Sequence, residues 1–77
     1  MLLVVEDDPI LGAALVEGLS RVFRVDLAAP LADARAALDT VDYDLILLDF
    51  ALPDGSGQDL LREIRRAGRS IAVIVLT

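Results

Sequence analysis

The chain has 77 residues, with 7 basic against 13 acidic side chains and a formal net charge of −6. That allows one domain at most and argues against direct nucleic-acid binding by this segment. With no Cys and no His, disulfides, thiolate or imidazole metal ligands and His-based acid–base chemistry are excluded; all seven basic residues are Arg.

In chain order, Leu2–Val5 is an apolar run that reads as a strand. Asp8-Pro9 then reads as a helix N-cap followed by Pro at the first helical position. Leu11, Leu15, Leu19 and Val22 recur at helical spacing with Ala14 beside them. Gly18 is unfavourable inside that helix. From Phe23 to Ala28 the pattern alternates, with Val25 and Leu27 on one face, as in a strand near an edge. Pro30 opens a second helix with Leu31, Ala34, Leu38 and Val41 inward; it is weakly capped, because Ala29 has no side-chain oxygen.

Leu45–Leu48 is four large aliphatic residues, a strand buried on both faces. The loop Pro53-Asp54-Gly55-Ser56-Gly57 is turn chemistry. Ser56 or Gly57 caps a third helix with Leu60, Leu61, Ile64 and Ala67 inward, and charges three residues apart outward. Gly68 stops it. Ile71–Leu76 is a fully apolar fourth strand.

This β-α-β-α-β-α-β order implies an α/β fold with a parallel sheet and right-handed crossovers. A buried parallel strand needs a covering layer on each face, and three helices must serve two faces. The rest is expected from a larger domain or from a partner. The longest apolar run, Ile71 to Leu76, is far short of the roughly 20 residues that span a bilayer. Met1 leads straight into the first strand without a basic stretch, so no secretory signal is read. The expected location is cytoplasmic, with no membrane partner.

Ligands of open α/β sheets bind beyond the carboxyl ends of the strands. There the sequence places Asp49, directly after the third strand, and Glu6-Asp7-Asp8, directly after the first. Such acids repel, and a hard divalent cation relieves that. A carboxylate so placed can also be a nucleophile for phosphoryl transfer. Each acid alone has a plainer reading: Asp8 a cap, Glu6 and Asp7 a solvated strand end, Asp49 a loop cap, Asp54 a turn residue. The joint arrangement carries the case.

Four motifs carry a family resemblance: Leu3-Val4-Val5-Glu6-Asp7-Asp8-Pro9, Tyr43 to Asp49, Leu52-Pro53-Asp54-Gly55-Ser56-Gly57, and Val73-Ile74-Val75-Leu76-Thr77. Together they resemble the receiver domain of bacterial two-component response regulators. The Leu-Pro-Asp-Gly wording looks most like regulators with a winged-helix DNA-binding domain. The resemblance implies a flavodoxin-like three-layer sheet of order 2-1-3-4. It implies a partial receiver over residues 1–77, without the family's fourth helix, fifth strand and fifth helix. Asp49 would be the phosphoacceptor for a sensor histidine kinase. Glu6, Asp7, Asp49 and the backbone carbonyl of Ala51 would hold Mg2+, and Thr77 would be the switch hydroxyl. The first helix, around Ile10 to Leu15, would dock the kinase.

The missing part of the family fold carries a Lys that pairs with the phosphoryl group, and this chain has no Lys. Phosphotransfer is therefore expected to be impaired, in a switch module more than an enzyme. The alternative is an assembly module that self-associates through the exposed edge of the fourth strand. A metal-dependent phosphohydrolase is disfavoured because Ala51 stands two residues beyond Asp49, where such enzymes often carry a second Asp. Nucleotide binding is disfavoured because no Gly-rich loop follows the first strand.

Overall fold

The computed structural model describes residues 1–76. The elements, in order, are β1 (Leu2–Val5), α1 (Pro9–Leu19), β2 (Val25–Ala28), α2 (Leu31–Thr40) and β3 (Leu45–Leu48), then β4 (Ala51–Leu52), β5 (Gly55–Ser56), α3 (Gly57–Arg66) and β6 (Ala72–Val75). The main sheet is parallel, in the order β2-β1-β3-β6. This is the expected order 2-1-3-4, with β6 as its fourth strand. The addition is the short antiparallel β4–β5 ladder, which the turn residues of 53–57 had suggested only as a loop.

Alternation along the central strands divides the core. Leu3, Val5, Ile46 and Leu48 face α2 and α3, packing with Leu31, Ala34, Leu38, Leu60 and Ile64. Leu2, Val4 and Leu47 form the opposite cluster, against Leu15 and Leu19 of α1. Two helices thus cover one face and one helix the other. No helix among the described residues is long and apolar enough to cross a membrane.

Several inward faces differ from the sequence reading. In α1, Gly12 is buried, while Leu11 is 41% and Val22 77% exposed. The helix rests on Gly12, where an added Cβ would lie 3.3 Å from both methyls of Leu27, so the missing side chain sets the close approach. Val22 falls beyond the helix, in a turn closed by its N–H on the Leu19 carbonyl. The second strand is shorter than the Phe23–Ala28 pattern because Phe23 N–H also bonds the Leu19 carbonyl.

In α3, Ala67 is exposed, and Gly68, at φ 74°, ends the helix as expected. The Asp59–Arg62 pair forms at 3.1 Å, but Glu63 turns to α2, where Arg35 holds it through two bonds of 2.9 and 3.1 Å. The fourth sheet strand is not buried: Ile74 is 51% and Val75 43% exposed. Among the described residues β6 pairs only with β3.

Tyr43 is buried and donates its hydroxyl proton to Asp26 on β2, tying the segment before β3 across the sheet. Burial, reinforced by the Asp26 carboxylate, pushes the phenol up to about 12.

Gly18 lies inside α1 with open space where a Cβ would be. Replacing it with Ala removes backbone freedom from the unfolded chain at no steric cost. We expect Gly18→Ala to raise the unfolding free energy by about 0.5–1 kcal/mol, read from urea denaturation midpoints. An unchanged or lower midpoint would contradict this account of α1.

Candidate metal and phosphoryl-acceptor site

The acidic site follows from the sheet register. β1 and β3 pair in parallel from Leu2↔Leu45 to Val5↔Leu48. The next residues, Glu6 and Asp49, therefore leave neighbouring strands at the same level. Backbone bonds carry the ladder one step further, from Asp49 N–H to the Val5 carbonyl at 3.0 Å and from Glu6 N–H to the Ala28 carbonyl at 3.3 Å. Both acids are held by the sheet rather than by a loop.

Glu6 and Asp49 are only 5% and 7% exposed, so their charges are largely withdrawn from water; Asp7 is exposed. Carboxylate oxygens of Glu6, Asp7 and Asp49 lie within 4.8 Å of one another. Burial raises the Glu6 carboxyl above its ordinary range. The Asp8 N–H on Glu6 Oε1, at 3.0 Å, pulls the other way. The Asp49 charge, a hydrogen bond to the Asp49 side chain and the Asp7 charge all push it further up.

Three carboxylates and no nitrogen or sulfur donor make a hard oxygen site. Oxygens around an octahedral Mg2+ at about 2.1 Å lie roughly 3 Å apart when adjacent and 4 Å when opposite. The cluster needs little contraction to reach those spacings, so its chemistry and size fit Mg2+.

Asp8 stands apart from this group. Its Oδ1 accepts from Ile10 and Leu11 N–H at 2.9 and 3.3 Å, the cap role read from Asp8-Pro9. Ala51 is tied to the site by its N–H, which donates to Asp49 Oδ1 at 2.9 Å. Gly57 closes the loop behind Asp49 through its N–H on the Phe50 carbonyl, at 3.0 Å. A Cβ there would overlap the Asp49 carbonyl oxygen and lie 2.9 Å from Phe50 Cα. Ser56, not Gly57, caps α3, accepting from Gln58 N–H at 3.1 Å. Thr77 lies outside the described residues.

The sequence reading missed Asp54. It is more than a turn residue: its two oxygens accept from Leu31 and Ala32 N–H at 2.8 and 3.2 Å, capping α2 from 23 residues away. Those backbone bonds, the Leu31 one first, hold its carboxyl below the usual range. The signal was indirect, a helix whose own start, Ala29-Pro30, offers no capping oxygen.

Comparison with known proteins points the same way. The family model described as response regulator receiver domain matches residues 2–77. The transcriptional regulatory protein CusR of Escherichia coli K12 is 42% identical over 77 residues, covering 99% of this chain and 34% of CusR. QseB of Escherichia coli O157:H7 is 38% identical, covering 99% and 35%. The chain thus spans about a third of the length of these curated relatives. Among solved structures, the MaeR response regulator bound to beryllium trifluoride superposes with a TM-score of 0.91 at 34% identity, over 99% of this chain and 65% of that one. TrrA of Thermotoga maritima, in complex with Mg2+ and BeF, gives 0.82 at 29%, over 96% and 64%.

The raised carboxyl of Glu6 has a stability consequence with a fixed sign. Its contribution is fully present below the ordinary value of 4.5 and is lost as pH rises through the raised value. At neutral pH without divalent cations, ionised Glu6 burdens the fold. We expect Glu6→Gln, which keeps the acceptor for Asp8 N–H, to be more stable than wild type there. That gain should fade on acidification towards 4.5. Urea titrations at both pH values check it; a variant less stable than wild type at neutral pH would refute it.

Proposed function

Because the chain belongs to the response regulator receiver domain family, we propose that it is a partial receiver that accepts a phosphoryl group on Asp49 from a sensor histidine kinase. The observation that carries this reading is the convergence of Glu6, Asp7 and Asp49 at the ends of β1 and β3. In the transfer, an Asp49 carboxylate oxygen attacks the phosphorus of a phosphohistidine. The new P–O bond forms as the P–N bond breaks, and the imidazole leaves with the bonding electron pair.

The residues of this chain divide the work. The β3 ladder and the Ala51 N–H orient the Asp49 carboxylate, the candidate nucleophile. Burial removes competing water from around it. Glu6, Asp7, Asp49 and the Ala51 backbone carbonyl would hold Mg2+, which supplies charge neutralisation for the carboxylates and the incoming phosphoryl group. Thr77 would hydrogen-bond a phosphoryl oxygen. The exposed start of α1, with Ile10 81% exposed, is the proposed kinase-docking surface.

Incubation with a phosphorylated sensor kinase and Mg2+ should add one phosphoryl mass to the wild-type chain, slowly because no Lys is present to pair with the phosphoryl group, and the adduct should be labile to hydroxylamine as an acyl phosphate is. Asp49→Ala should add none and should lose any Mg2+-dependent change. A wild-type chain that never acquires the mass, or an Asp49→Ala chain that does, would sink this reading.

A second reading has its own support. Ile74 and Val75 are exposed on β6, a strand with one paired edge among the described residues. Such an edge favours self-association through strand addition. Sedimentation equilibrium should show concentration-dependent association; a monomer at every concentration, with and without Mg2+, rules it out.

A further inference from the structure

We propose that Asp54 is a positioning residue for the acidic site: by clamping the start of α2 it pins the tip of the β4–β5 hairpin, and through the hairpin it steadies the backbone that follows Asp49. The inference rests on the cation-binding reading of the cluster.

The clamp uses both carboxylate oxygens. Oδ1 takes the Leu31 N–H at 2.8 Å and Oδ2 the Ala32 N–H at 3.2 Å. Two bonds to successive amides of one helix fix the direction of the carboxylate as well as its distance. The neighbouring backbone docks too. Gly55 has φ 152°, and a Cβ there would lie 3.0 Å from Leu31 Cδ1. Leu52, on the other side of the tip, is buried in the same core cluster as Leu31. The helix that receives the clamp is itself braced, by the paired bonds between Arg35 and Glu63 of α3.

The other end of the hairpin is the site. Ala51 pairs with Ser56 and Leu52 with Gly55, and among the described residues these are its two paired positions. Two rungs cannot hold a hairpin in water, so this one takes its shape from its anchors. At its base the anchors are Ala51 N–H on Asp49 Oδ1 and Gly57 N–H on the Phe50 carbonyl. At its tip the polar anchor is Asp54. A continuous path thus joins α2 to Asp49: helix amides, Asp54, two rungs, Ala51, Asp49. Releasing the tip frees the segment that carries the Ala51 carbonyl and orients Asp49, and a site that must order itself on binding binds more weakly.

A purely structural cap would behave differently, and the test separates the two. Mg2+ affinity is measured by calorimetric titration for wild type, Asp54→Ala, Asp54→Asn and Ala36→Gly, at a temperature where circular dichroism shows each folded. Ala36 is exposed in the middle of α2, so its change to Gly weakens the helix without touching the hairpin. Asp54→Ala should weaken Mg2+ binding about tenfold, the scale on which partners that orient ligands act. Asp54→Asn keeps one acceptor and should fall between Ala and wild type. Both variants remove the same charge, so their difference reads the hydrogen bond. Ala36→Gly should bind as wild type does.

Wild-type affinity in Asp54→Ala, or an equal loss in Ala36→Gly, overturns the positioning role and leaves the acidic site standing. If Asp54→Ala does not fold, wild-type affinity in Asp54→Asn overturns it alone. A folded wild-type chain that gives no Mg2+ heat removes the cation-binding reading, and this inference with it.

Discussion

The parallel pairing of β1 with β3 is the constraint on which the rest of the molecule depends. It forms the centre of the core, since Leu3, Val5, Ile46 and Leu48 lie fully buried on one face and Leu2 and Val4 on the other. The same register delivers Glu6 and Asp49 side by side at the strand ends. A slip of one residue would reverse every side chain along the strand and part the two acids. The packing that holds the sheet together is therefore also what forces like charges into proximity. Burial first, and then the neighbouring Asp49 and Asp7 charges, raise the Glu6 carboxyl.

Around this centre the segment 49–57 works as a junction. Its beginning continues β3, its middle is the two-rung hairpin, and its end starts α3. Gly57 packs against the Asp49 backbone so closely that any side chain would collide with main-chain atoms, which cannot rotate away. Asp54 reaches α2, and Arg35 joins α2 to α3. The helices on this face are thus linked to the Asp49 loop at both ends, by backbone contact on one side and by charged hydrogen bonds on the other.

Much of this was legible in the residues. The apolar runs gave the strands, Asp8-Pro9 and Ser56 gave two helix starts, and Gly68 gave a stop. The acids at the strand ends pointed to the carboxylate cluster of Glu6, Asp7 and Asp49, because position after a buried parallel strand is a local property of the sequence. What was not legible depended on tertiary contacts. Leu11 is as apolar as Leu15, and only the seating of Gly12 on Leu27 decides which of them turns inward. Glu63 had an arginine three residues away on its own helix, yet the partner it takes is on another. The β6 residues have the composition of a buried strand, and composition does not say which neighbour covers a face. Asp54 is the extreme case, since its partners lie 22 and 23 residues back and nothing local distinguishes it from an ordinary turn aspartate.

The position of β1 has a further consequence, for the order in which the fold can assemble. The central strand β1 leaves the ribosome before both of its neighbours, β2 and β3, which come later in the chain. The bond between the amino terminus and Asp44 spans 43 residues, and the β1–β3 ladder begins just beyond it. Closing loops of that length before any contact rewards them slows folding. During synthesis the run Leu2–Val5 must stay unpaired on one edge until β3 has emerged. This deeply buried stretch is then exposed on the way for longer than the strands that pair with it, and crowding of nascent chains would act on those four residues before it acts on β3.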